Sequence, residues 1–470
     1  MDERRKRRVL VAIMLAIFLS AMESTVVALA MPTVVAQLGG IRFYSWVFSG
    51  YLLTQTVSMP LWGRFSDLYG RRSVYLIGLA TFLAGSALSG TAQDMVQLVA
   101  FRMIQGLGAG SLMTLGYTII GEIFGLERRA KMQGYISGVW GVASMVGPPL
   151  GGLITDHASW RWVFYLNLPV GVVAMALVAS ALRGEARPGR RPAIDWWGVA
   201  CFTTGIVLVM LALAEAGRAA AWSGAAVVAP LAAGGAVLAA FVAVERRARE
   251  PIVPLRLFAS RIVVAAVVTR ALAAMAMFGT LAFVPLFVQT VMGLTATRSG
   301  AVLAPFVLGW VLLSATSARL VLRVGYRSVV IAGMGCLAGA FLLLSRWGMG
   351  LSFVGAMRDV LLAGVGMGLV IVPMLIAVQS AVPRADLGVA TSVTQFFMSI
   401  GGAVGVSVMG TVMAQRLAAG LPLADALHAV FVTGLVVCVG ALASAFLVPP
   451  GRAQDLARAE MRGEPGRAGG

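Results

Sequence analysis

Four ionisable side chains stand in otherwise apolar runs: Glu23, Arg102, Arg270 and Arg358. Charge in such surroundings is costly, so each of these groups needs a partner, a water-filled cavity or a route to the surface. A carboxyl withdrawn from water holds its proton more tightly, and a neighbouring guanidinium opposes that tendency. Glu23 and Arg102 together could therefore take up and release a proton as their surroundings change. With the N-terminus inside, helical rise places each of them roughly 10 Å from the outer end of its own apolar segment, so their depths agree. A permanent ion pair that only ties two segments together fits the same residues.

Arg270 lies roughly 12 Å from the opposite end of its segment. It either faces a central cavity, where it would attract an anionic group and repel a cationic one, or snorkels to the headgroups. Gln105, Met275 and Phe278 join Arg270 as candidate cavity residues, the last two as an adaptable apolar wall or as ordinary helix packing. A second charged constellation runs Gly63-Arg-Phe-Ser-Asp67-Leu-Tyr-Gly70-Arg71-Arg72. Gly63 and Gly70 would allow close turns between helices, and Asp67 could cap the positive N-terminus of a neighbouring helix while pairing with the arginines. A third run reads Gly141-Val-Ala-Ser-Met-Val-Gly147-Pro148-Pro149-Leu-Gly151-Gly152, in which glycines permit tight packing and prolines bend a helix.

The elements that must position these residues are membrane helices. Of the 470 residues 59% are hydrophobic and 12% charged, against about 25% charged in a soluble domain. Apolar stretches of roughly 20 residues recur and predict fourteen spans. With the N-terminus placed inside, 28 of the 37 Lys and Arg fall on inner loops, six on outer loops and three within helices. The net charge of +18 thus reports orientation and contact with anionic lipid, and no nucleic-acid partner is expected. Both termini are expected in the cytoplasm, in an inner (plasma) membrane of bacterial type. Cys201, Cys336 and Cys438 lie inside predicted helices without metal-ligand spacing, so neither a disulfide framework nor a metal is expected. Asp195, Glu215, Asp359 and Asp425 fall near predicted helix ends, where capping or interfacial solvation suffices.

The chain repeats itself. Gly63 to Arg72 is echoed by Ala318-Arg319-Leu-Val-Leu322-Arg323-Val-Gly325-Tyr-Arg327, and Gly106-Leu-Gly108-Ala-Gly110 by Gly364-Val-Gly366-Met-Gly368. The similar offsets argue for duplicated halves. The expected organisation is a cytoplasmic N-terminus at 1–8, a six-helix bundle at 9–182, a linker with two inserted helices at 183–261, a second six-helix bundle at 262–448 and a disordered cytoplasmic tail at 449–470. Leu322 stands where the first copy has Asp67, so an acid latch would be one-sided.

On these residues the chain resembles the major facilitator superfamily and, within it, the fourteen-helix drug:proton antiporters of the multidrug efflux type. Gly63 to Arg72 is similar to the signature between helices 2 and 3, and Arg102 to Gly110 to the family's second motif. Glu23 stands where the family usually has Asp, and Gly141 to Gly152 resembles the helix-5 motif of exporters. The resemblance implies an all-α fold of two six-helix bundles plus an inserted pair, with the major facilitator arrangement. It implies export of amphipathic drug-like small molecules in exchange for protons, by a monomer in the lipid bilayer, driven by the proton gradient without a cofactor. Glu23 and Arg102 would couple protons; Gly63, Asp67, Gly70, Arg71 and Arg72 would gate the inner face; Gly141, Gly147, Pro148, Gly151 and Gly152 would serve the exporter motif. Ser159 to Pro169 looks like a family landmark and reads as interfacial anchoring. Export of a particular metabolite, siderophore or lipid-like molecule is the alternative. An enzyme is not expected, because a phosphate-binding loop, a His-Glu-x-x-His pair and a nucleophile constellation are all missing.

Overall fold

In hydrocarbon every backbone N–H and C=O must find its partner within the protein, and a helix achieves this within a single segment. The computed structural model describes residues 2–39, 43–182, 195–219, 222–248, 251–294, 296–348 and 350–449, and among them the regular structure is entirely helical. The helices are α1 (Glu3–Leu38), α2 (Tyr44–Tyr69), α3 (Arg71–Thr91), α4 (Met95–Ile123), α5 (Leu126–His157), α6 (Arg161–Tyr165), α7 (Asn167–Ala181), α8 (Trp196–Ala219), α9 (Ala225–Glu245), α10 (Arg261–Thr290), α11 (Ala296–Val324), α12 (Tyr326–Leu344), α13 (Phe353–Ser380), α14 (Leu387–Ala418) and α15 (Leu423–Ala445). Among the described residues eleven segments are long and apolar enough to cross a membrane, α6 and α7 counting as one; α1, α2 and α5 are the long helices outside that set. The fourteen spans expected from hydropathy are therefore not all met by that measure.

The same pairings recur in two sets of helices. In the first, α1 packs on α5 and α7, α2 on α4, and α3 on α4 and α7; in the second, α10 packs on α14 and α15, α11 on α13, and α12 on α13 and α15. Between the sets, α2 lies on α14 and α5 on α11, which are equivalent pairs under the repeat. The remaining pair, α8 and α9, packs on itself and sets α8 against α14 and α2. Phe202 of α8 meets Phe241 of α9 at 5.3 Å and Phe396 of α14 at 5.2 Å between ring centroids.

Several helices outrun their apolar cores. Helix α2 continues to Tyr69, so Gly63 and Asp67, expected between helices 2 and 3, lie in its last turns. Only Gly70, at φ 88°, makes the turn. Likewise α11 runs on to Val324 and turns at Gly325, at φ 84°. Helical hydrogen bonding does not depend on hydropathy, so a helix can continue past the end of its apolar run. The sixth span is interrupted at Leu166, three residues before Pro169, whose missing N–H cannot bond to the carbonyl of Tyr165. Asp359 lies within α13, not at its end. It is buried, with Oδ2 accepting from Trp347 Nε1 at 3.0 Å and Oδ1 from Arg358 Nε at 2.9 Å. The first part of the expected linker, 183–194, and the expected tail from 450 onward lie outside the described residues.

Candidate functional site

Three helices of the first set converge on one carboxylate. Glu23 comes from α1, Arg102 from α4 and Asn167 from the first position of α7, all essentially sealed from solvent. Arg102 Nη1 donates to Glu23 Oε1 and, at 2.7 Å, to Gln105 Oε1 one helical turn along the same helix. Its Nε reaches Val47 O at 3.4 Å, and its Cζ lies 4.2 Å from the centroid of the Tyr51 ring. Asn167 Nδ2 holds the other carboxylate oxygen, donating to Glu23 Oε2 at 2.6 Å, and also reaches Ser86 Oγ at 2.9 Å. Ser86 in turn donates to Phe164 O at 2.8 Å, just before the interruption in the span.

The arrangement is a buried, bonded carboxylate with one counter-charge. Either partner alone would be an uncompensated buried charge, which costs about 3–5 kcal/mol. Neutralising Glu23 by a proton would free Arg102 to lean on Gln105, Val47 O and the Tyr51 face, so the site offers two bonding patterns for one carboxyl.

Asn167, expected only as part of the interfacial run Ser159 to Pro169, is thus a direct partner of Glu23. Its signal was a polar amide within the apolar Leu166-Asn167-Leu168, beside a proline that breaks the span. Trp160 and Arg161 do anchor that run: Trp160 Nε1 donates to Gln37 Oε1 at 2.9 Å, and Arg161 Nη2 donates to Ala92 O at 2.9 Å.

The second constellation joins the two sets of helices. Asp67, buried at the end of α2, accepts Gly388 N–H on Oδ1 at 3.1 Å and Val389 N–H on Oδ2 at 2.9 Å, both from the first turn of α14. Arg71 Nη2 lies 2.6 Å from Asp67 Oδ1 and 2.6 Å from Glu122 Oε1 of α4, while its Nη1 donates to Ser66 Oγ. Gly63 allows this approach, because a Cβ there would fall 2.7 Å from Gly388 O. Nearby, Gln133 Nε2 of α5 donates to Gln379 Oε1 of α13 at 2.9 Å, and Gln379 Nε2 donates to Tyr117 O of α4 at 3.2 Å. Arg72 is half-buried at the start of α3.

The glycine-proline run divides between two interfaces. A Cβ on Gly141 would meet Val307 of α11 in the other set, whereas one on Gly151 would meet Val26 of α1 in the same set. Gly147 is buried, and α5 stays helical through Pro148 and Gly152.

The four candidate cavity residues do not form one group. Gln105 belongs to the Glu23 cluster through Arg102, while Met275 and Phe278 face the glycines Gly405 and Gly402 of α14. Arg270 is buried, without snorkelling, and its Nη2 donates to Gln395 Oε1 and to Met398 Sδ, the latter at 3.3 Å. Both acceptors are on α14, and neither was visible as a partner because 125 or more residues separate them from Arg270 in the chain.

Comparisons with known proteins give the geometry its setting. The model of the Major Facilitator Superfamily matches residues 13–406. The chain is 38% identical over 415 residues to the multidrug transporter protein MdtP of Bacillus subtilis, covering 88% of this chain and 76% of that one. It is 34% identical over 404 residues to multidrug resistance protein 3 of the same organism, covering 86% and 79% respectively. In fold it is similar to the proton:xylose symporter XylE, solved bound to 6-bromo-6-deoxy-D-glucose, with a TM-score of 0.69 at 12% identity, covering 98% of this chain and all of that one. At that identity the likeness concerns the fold alone. This is a multi-pass membrane protein with the architecture of a transporter rather than of an enzyme, and the chain belongs to the Major Facilitator Superfamily.

Proposed function

We propose that this protein exports amphipathic drug-like compounds in exchange for protons, by rocking its two six-helix sets about a path between them. The observation that carries the reading is Glu23, a buried carboxylate held by Arg102 and Asn167 from three different helices. A proton arriving there would remove the charge that fixes Arg102, so protonation and helix arrangement become linked. The relatives named as multidrug transporters support export of drug-like cargo.

Glu23 is the proton carrier in this scheme, Arg102 tunes it and Asn167 orients it. Asp67, Gly63, Gly70, Arg71 and Arg72 form the gate at the end that bears both described termini. The excess of Lys and Arg on that side supports reading it as the cytoplasmic one. Contacts between Asp67 and α14 and between Gln133 and Gln379 support a gate closed to the cytoplasm here. No cofactor enters; the proton gradient drives the cycle.

The test is transport into everted membrane vesicles with an acid lumen, following ethidium uptake together with proton release from the lumen. Uptake that depends on the gradient and is lost in Glu23→Gln supports the reading. Uptake indifferent to the gradient, or unchanged in Glu23→Gln, refutes it.

A further inference from the structure

Arg270 is one anion short. It is 1% exposed, on a helix in the middle of the protein, yet its described acceptors are one neutral amide oxygen and one thioether sulfur. Its Nε and Nη1 have no hydrogen-bond partner among the described residues. Arg102, buried to the same extent, has a carboxylate, an amide oxygen, a backbone carbonyl and an aromatic face. Even Arg358, whose side chain is largely exposed, has a carboxylate partner, its Nη2 lying 2.8 Å from Asp359 Oδ1. A desolvated guanidinium that lacks a counter-ion is strongly unfavourable, and a carboxylate arriving from outside the chain would recover much of that cost.

The direction in which Arg270 points matters as much. Its electrostatic neighbour is Tyr117 of α4, which belongs to the other set of helices. Its bonded neighbours, Gln395 and Met398, precede Ser399, whose hydroxyl contacts Met59 Sδ of α2 at 3.9 Å. Arg270 therefore faces the seam between the two sets and not the lipid. Helical rise from Arg261 sets it roughly 13 Å along α10, close to mid-bilayer and far from either headgroup layer. The soft thioether of Met398 beside it suits an apolar body attached to the anion.

We propose that Arg270 binds the carboxylate of an anionic amphipathic cargo at this seam. The proposal rests on the export reading above and narrows its substrate class. The anion completes the bonding of Nε and Nη1, and the neutral Gln395 holds the guanidinium in place without competing for charge.

Binding of 1-pyrenebutyrate and of its uncharged amide to the purified full chain in dodecylmaltoside, followed by pyrene fluorescence, tests this directly. Wild type is expected to bind the acid at least about tenfold more tightly than the amide, as one charge-assisted hydrogen bond predicts. Arg270→Gln should abolish that preference, and Arg270→Lys, which keeps the charge, should retain part of it. Equal affinity of wild type for acid and amide overturns the proposal, as does a preference that survives Arg270→Gln. If Arg270→Gln does not fold, loss of the preference in wild type at high salt together with an undiminished preference in Arg270→Lys also overturns it, because a bare surface charge would then suffice. Phosphatidylglycerol that displaces the acid at stoichiometric amounts would make the occupant a lipid and sink the cargo assignment.

Uptake of 1-pyrenebutyrate and of ethidium, each followed in everted vesicles, separates this site from the export reading. Gradient-driven uptake without an acid preference rejects the site and keeps export. An Arg270-dependent preference without gradient-driven movement of either probe rejects export and keeps the site.

Discussion

The carboxylate of Asp67, at the end of α2, accepts the backbone N–H of Val389, at the start of α14, across a bond of 2.9 Å. A side chain of one helix set thus caps a helix of the other. Removing the charge in Asp67→Asn should cost the closed gate about 1 kcal/mol, or roughly fivefold in its population. Thiol labelling of a cysteine placed at Ser392, buried against Gly63 at this contact, should rise accordingly, and labelling unchanged from the parent would mean that the cap does not hold the gate.

Gly63 makes the same contact possible through its missing Cβ. In Gly63→Val the branched side chain would have to occupy space held by Ser392 and the carbonyl of Gly388. The expected result is a protein that folds but keeps its α2 and α14 ends apart. Spin labels on those ends should report a distance several ångströms longer than in wild type, since overpacking displaces backbone. An unaltered distance distribution with normal transport would rule this out.

Within the first helix set, Arg102→Ala leaves Glu23 a buried carboxylate without its counter-charge. Unfolding in detergent should show a loss of about 3–5 kcal/mol. The double variant Glu23→Gln with Arg102→Gln removes both charges and should recover much of that stability, yet remain unable to couple protons to transport. Coupled transport by the double variant would make the pair purely structural.

Asn167→Leu withdraws the donor 2.6 Å from Glu23 Oε2 while nearly preserving shape. A hydrogen bond to a charged group contributes about 1.5–3 kcal/mol, so the variant should be less stable by about that amount and its transport should respond differently to pH from that of wild type. If the melting temperature falls but the pH profile superimposes on the wild-type curve, Asn167 is a strut and not an orienting group.

How far the fold could be read from the residues depended on where the information lay. The depth agreement of Glu23 with Arg102 needed only helical rise, and the structure brings the two together. Asn167 was hidden because its approach to Glu23 follows from an interruption at Leu166, a matter of backbone bonding that hydropathy does not register. The partners of Arg270 were hidden for another reason. Gln395 lies on a distant helix, and a lone amide in an apolar run carries no mark of what it faces. Gly63 reads as a loop residue from hydropathy because apolarity ends before the helix does.

The pair α8 and α9 has its own bearing on any rocking motion. Ser407 Oγ of α14 donates to Leu213 O of α8 at 3.0 Å, and Thr411 Oγ1 donates to Ala216 O at 3.2 Å. These bonds hang α8 from α14, and α8 packs on α2 as well. Under the motion proposed above, the inserted pair would travel with the second helix set and slide over α2, acting as a shutter on the lipid side of that seam. Cargo dissolved in the bilayer would then find the α2 and α14 flank covered throughout the cycle, leaving the α5 and α11 flank as the side door.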